Sequence, residues 1–133
     1  MAPDHLQLAR TAIAAYNAGD LPALLDLVSE DVVATISPAM ANAGVYHGHA
    51  GFLRMLEDWG EAWEDFRLEA GEPFDAGDAV IIPVQQYGRG RGSGIETSMR
   101  TFHVGHFRDD SLVRWSLCES REEALAHASQ ETV

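Results

Sequence analysis

The sequence predicts an α+β fold: three N-terminal helices packed on a curved antiparallel sheet. Three observations carry this reading. Apolar residues repeat at helical spacing up to about Trp63 and at alternating spacing beyond it. Asp75-Ala76-Gly77-Asp78 and Asp109-Asp110 punctuate the second half as tight turns. The chain has 133 residues, one domain's worth (1–133), with a single core. A bent sheet over helices leaves a cone, which either fills with side chains or holds a ligand.

Residues 4–17 carry Leu6, Ala9, Ile13 and Tyr16 on one helical stripe, with Ala12, Ala14 and Ala15 favouring helix further. Gly19-Asp20 stops that helix. Asp20 then caps a short second helix that runs through Leu27 with Pro22 in its first turn. Ser29-Glu30-Asp31 leads into a β-branched strand over 32–36, and 38–47 reads as irregular. A third helix follows Gly48 to about Trp63, with Phe52, Met55, Leu56, Trp59 and Trp63 on one face. Four strands follow near 66–73, 79–88, 95–108 and 111–119, and Pro83 marks an edge or bulge. The run from Gly88 to Gly94 reads as a long connection, and Ser120-Arg-Glu-Glu123 as a capping box opening a last helix to about Ala128.

Composition narrows the function classes. Asp plus Glu number 21 against 9 basic residues, all Arg, for a net charge of −12. So acidic a chain repels phosphate backbones, which argues against nucleic-acid binding. No apolar run approaches the roughly 20 residues needed to cross a bilayer. The start, Met1-Ala2-Pro3-Asp4, lacks an apolar signal region. A lone cysteine, Cys118, rules out an internal disulfide and a multi-Cys metal site. The expectation is a soluble, cytoplasmic protein with no membrane partner.

Several motifs, taken in order, carry a resemblance: Tyr16-Asn-Ala-Gly-Asp-Leu21, Ser29-Glu-Asp-Val-Val33, Tyr46-His-Gly-His-Ala-Gly-Phe52, Ala76-Gly-Asp78, Gly88 to Gly94, and His103 through Trp115. In this order they resemble the nuclear transport factor 2-like (cystatin-like) superfamily, and within it the SnoaL-like, polyketide-cyclase-like proteins. The resemblance implies a cone-shaped α+β barrel, a pocket between helices and sheet, and a homodimer built on the convex face. It also sets strand parity. Steroid isomerases of this fold carry an acid four residues before the aromatic ending the fifth strand; here Phe107 is that aromatic and His103 stands four before it. Met99, Thr101, His103 and Phe107 would then face inward, as would Gln85 and Tyr87 on the preceding strand and Trp115, Leu117 and Glu119 on the last. The isomerase's tyrosine position is Ala12 and its general-base position is Ser37, so steroid isomerisation is not expected. Ser120 stands where many relatives carry Asp, and reads as an N-cap.

His103 is the leading catalytic candidate, because an imidazole exchanges protons near neutral pH. Glu119 would orient it or act beside it, and Tyr16 could donate to a carbonyl. The plain alternative is a polar His hydrogen-bonded inside a half-filled pocket, with Tyr16 a core aromatic. Trp59, Trp63, Trp115, Phe52 and Met55 read as pocket wall, and Gln85, Tyr87, Met99 and Thr101 as polar or soft contacts for a ligand. His47 and His49 lack further metal ligands, while His103 and His106 point to opposite faces. Arg89 and Arg91 sit among glycines without the rest of a phosphate loop. Neither metal nor cofactor is expected.

Two functions stay open at this point. One is a cofactor-free enzyme binding a small apolar carbonyl-bearing metabolite, with cyclase- or isomerase-like proton transfer at His103. The other is a non-catalytic binding or dimeric interaction module of the same fold.

Overall fold

A computed structural model describes residues 4–38 and 43–129. Its elements are α1 (His5–Asn17), α2 (Leu21–Asp26), β1 (Val28–Ile36), β2 (Gly44–His47), α3 (Gly48–Ala62), β3 (Trp63–Ala70), β4 (Phe74–Ala76), β5 (Ala79–Gly90), β6 (Glu96–Arg108), β7 (Ser111–Cys118) and α4 (Arg121–Ala128). The α+β architecture is as expected. The strands form one sheet in the order β2-β1-β7-β6-β5-β3, with β4 also paired to β5.

The sheet is mixed rather than wholly antiparallel, because β1 lies parallel to β7. The expected irregular stretch 38–47 contains β2, which returns antiparallel on β1; residues 39–42 of that stretch, like Met1–Pro3, lie outside those described. Trp63 does not belong to the third helix. It is extended (φ −129°, ψ 144°) and opens β3. The glycine run is shorter as a loop than expected, since β5 continues to Gly90. Gly88 sits in that strand because a Cβ there would meet the Trp63 ring at 3.1 Å and Phe66 at 3.3 Å.

Local chemistry sets the helix ends, at Asp20 and Ser120 as expected and at Asp4 in addition. Asp4 and Asp20 accept backbone N–H bonds from Gln7 and Ala23, and Ser120 accepts from Glu123. Glu123 reaches back one residue further than a capping box requires, to the Glu119 N–H, and also accepts from the Ser37 hydroxyl at 3.0 Å. Ser37 therefore has a structural partner on α4.

Pro83 sits inside the sheet, opposite Phe102 of β6, not on an edge strand. Its carbonyl faces the break between β3 and β4, accepting from Gly71 N–H at 2.7 Å. In an antiparallel strand the N and O of one residue point to the same side. The donor that proline lacks therefore falls where no ladder partner stands.

Both faces of the sheet carry helix: α1 and α3 pack on the inner face and α4 on the outer. On the inner face Phe52 and Met55 of α3 pack with Val32, Ala34, Ile36 and Leu117, while Ala9 and Ile13 of α1 pack with Val80, Ile82 and Val84. On the outer face Ala124 and Ala128 of α4 cover Ile81, Phe102, Val104 and Cys118. Cys118 thus points away from the inner face, and burial pushes its thiol up to about 12.

Candidate functional site

Between the inner face and the helices lies a cavity of about 70 Å³. Helix α1 contributes Ala12, Ile13 and Tyr16, and α3 contributes Phe52, Met55, Leu56 and Trp59. The sheet supplies Gln86, His103, Trp115 and Leu117. A water needs at least ~10 Å³ of such space, so the cavity holds a few waters or a small organic fragment. Anything larger enters by displacing side chains, and Met55 is the most adaptable of the wall.

His103, Tyr16, Phe52, Met55, Trp59 and Trp115 all stand on this wall. Thr101 is fully buried one step behind it, and Met99 is 44% exposed. Trp63 meets Trp59 edge-on at 6.5 Å from its place in β3.

Three inward expectations are corrected. Gln85 and Tyr87 lie on the outer face. The register pairs His103 with Ile82, Thr101 with Val84 and Met99 with Gln86. Directly paired antiparallel residues share a face, so the odd positions of β6 lie with the even positions of β5. Tyr87 instead carries the Arg67 guanidinium over its ring at 4.3 Å. Glu119 lies past the end of β7, exposed and off the cavity wall. The alternation that aimed it inward ends with the strand, where the chain turns into the cap of α4.

Gln86 is the polar wall residue that sequence reasoning missed. Parity carried across strands without the register points to its neighbour Gln85 instead. The apolar run from 79 to 84 fills both parities, so the strand's own pattern does not choose between 85 and 86; the register against β6 does.

The electrostatics of the site follow from burial. His103 is 6% exposed, its ring stands edge-on to Trp115 at 4.9 Å, and Nε2 has no hydrogen-bond partner among the described residues. Burial alone pushes its pKa down to about 3, so the ring is neutral at pH 7. Burial pushes the Tyr16 hydroxyl up to about 12, so it too is neutral. Among the described residues no carboxylate, Arg or Lys lines the cavity. Gln86 is 5% exposed, and its Oε1 accepts from the Thr101 hydroxyl at 3.2 Å.

The other histidines are placed elsewhere. His106 faces α4, its Nε2 3.3 Å from the Ala128 carbonyl oxygen. His49 bonds the Val28 carbonyl at 2.7 Å, and His47 precedes α3 without a side-chain cap bond. Among the described residues no group of three His, Cys, Asp or Glu side chains is placed to hold a metal ion. No helix among them is long and apolar enough to cross a membrane.

Comparison with known proteins agrees with this architecture. A family model described as SnoaL-like domain matches residues 9–115. None of the curated proteins matches the chain. Among solved structures, a nuclear transport factor 2-like protein from Burkholderia thailandensis is similar at 23% identity and a TM-score of 0.79, over 95% of this chain and 97% of that one. TerC, co-crystallised with polyporic acid, is similar at 19% identity and a TM-score of 0.77, over 90% of this chain and 96% of that one. A protein with a ketosteroid isomerase-like fold from Catenulispora acidiphila, in complex with trimethylamine, is similar at 16% identity and a TM-score of 0.74, over 98% of this chain and 96% of that one. At these identities the likeness is one of fold.

Proposed function

The chain belongs to the SnoaL-like domain family, and from that premise we propose that it binds a small, uncharged, largely apolar molecule bearing a carbonyl group in the inner cavity. The observation that carries this is the character of the wall: apolar on most sides, free of ionised groups among the described residues, with a neutral imidazole and an amide placed on it. A charged ligand would lose its hydration there with no opposite charge to replace it. Two proteins of the same fold hold small organic molecules, polyporic acid in one and trimethylamine in the other, which supports small-molecule binding by the fold; the neutrality of the ligand rests on this cavity's own wall.

Proton transfer at His103 is the second reading, favoured by the ring's place on the wall. With a pKa of about 3 the unliganded ring is a weak base, and Glu119 does not stand on the wall to assist it. Catalysis by this ring therefore requires a ligand that itself brings Nε2 a polar partner. Binding requires no such change.

The test is capture from a metabolite extract, read by mass spectrometry, with wild type beside Ala12→Phe. Ala12 lies on the cavity wall, and a phenyl group there fills the space. The wild type should retain neutral carbonyl compounds that the filled variant loses. Retention of the same compounds by both would place binding elsewhere and end the proposal. A compound returned chemically changed by wild type but not by His103→Ala would favour the second reading, and turnover unaffected by that change would remove it.

A further inference from the structure

We infer that Gln86 is the residue that recognises the ligand's carbonyl, and that Thr101, on the neighbouring strand, positions it. The inference rests on the reading of the cavity as a small-molecule site and names the group that sets its selectivity.

The geometry runs from the sheet outward. Thr101 is fully buried on β6, opposite Val84 and behind the cavity wall. Its hydroxyl lies 3.2 Å from Gln86 Oε1 and 3.4 Å from the Val84 carbonyl. A primary amide is planar, with its oxygen and nitrogen on opposite branches. Holding Oε1 against the sheet turns the NH2 group the other way, toward the space that Gln86 lines. No partner within the described residues takes up that NH2 group. Gln86 thus presents two N–H donors on a mostly apolar wall that also carries the Tyr16 hydroxyl and the His103 ring, and a ligand matching those donors supplies an acceptor oxygen.

Neutrality sharpens the class. The amide carries no charge, and the imidazole across the wall is neutral at pH 7. A ketone or aldehyde oxygen satisfies the donors without bringing a charge into the cavity. A carboxylate offers the same oxygen with a charge that no lining residue offsets. A hydrocarbon of equal shape leaves the donors unmet.

The experiment titrates isotope-labelled protein by NMR with cyclopentanone and with methylenecyclopentane, which replaces the carbonyl by C=CH2 at nearly constant shape. Binding is read from cavity-lining resonances and recognition from the Gln86 side-chain NH2 signals. Wild type should favour the ketone by roughly twofold to tenfold, the range of one net neutral hydrogen bond. The Gln86 NH2 signals should move with the ketone alone. Gln86→Leu should lose the preference and favour the hydrocarbon, because the ketone then leaves its water bond without a replacement. Thr101→Val, isosteric but without the hydroxyl, should lose most of the preference, and Thr101→Ser should restore it.

Equal affinity of wild type for the two probes would overturn the inference while leaving the cavity a binding site. Gln86 NH2 signals blind to the ketone would also overturn it, because the amide would then stand the other way round, with its nitrogen on Thr101. Preference kept in Thr101→Val would remove the positioning role. No movement of any cavity resonance with either probe would refute the binding reading itself, and this inference with it.

Discussion

Replacing His103 by Leu should flatten the acid side of the stability profile. The ring is buried and neutral, with its pKa lowered from 6.5 to about 3 by burial. In the unfolded chain the same ring titrates near its ordinary value. Between these limits the unfolded state binds a proton that the folded state refuses, so stability falls as pH falls through that window. The contribution is intact above pH 6.5 and is lost progressively down to about pH 3. At pH 4.5 the difference amounts to about 2–3 kcal/mol for this one group, and below pH 3 to about 5 kcal/mol. Carboxylates titrate in the same range, and His106 is shifted in the same direction by burial. Both are shared by wild type and variant, so they drop out when the two pH profiles are subtracted. Urea unfolding at pH 7 and pH 4.5, followed by tryptophan fluorescence, supplies the numbers, with Trp115 beside the ring as reporter. Wild type should lose about 2–3 kcal/mol more than His103→Leu between the two conditions. Equal losses in both would refute the account of a sealed, neutral ring and imply that water or a partner reaches Nε2.

Two further expectations follow from the fold. Ser120→Ala removes the side chain that accepts the Glu123 N–H at the start of α4; it should cost about 1 kcal/mol in chemical denaturation and leave probe binding in the cavity unchanged. The chain is also proposed to form a homodimer through the strip of outer sheet that α4 leaves uncovered, and light scattering at micromolar concentration should give about twice 14.5 kDa; a monomer mass would end that proposal.

The sequence made most of the elements readable because their causes are local. Asp20, Pro22 and Gly19 set one helix boundary, and Ser120 another, through bonds spanning three residues. The aromatic face of α3 was readable for the same reason, and it delivers Phe52, Met55 and Trp59 to the cavity. What failed was long-range. The parallel pairing of β1 with β7 leaves no mark on either strand's own pattern. Whether Gln85 or Gln86 faces the cavity depends on the register of β5 against β6, which no single strand encodes. Alternation aims Glu119 inward only if β7 runs past Cys118, and the strand ends there.

The parallel pairing also bears on how the chain reaches this shape. Strand β1 ends at Ile36 and finds its partner at Leu117, so the two halves of one ladder are separated by most of the sequence. Closing so long a loop costs chain entropy before any contact rewards it. Folding should therefore be slow for a domain of this size, on the millisecond-to-second scale of high-contact-order topologies. During synthesis β1 has its hairpin with β2 but waits for nearly the whole chain before its other edge is covered. Trp115 and Leu117 arrive on that same late strand. The inner cavity is consequently among the last features to form, and a compound that fits it would act as a selective brake on unfolding of the final ladder.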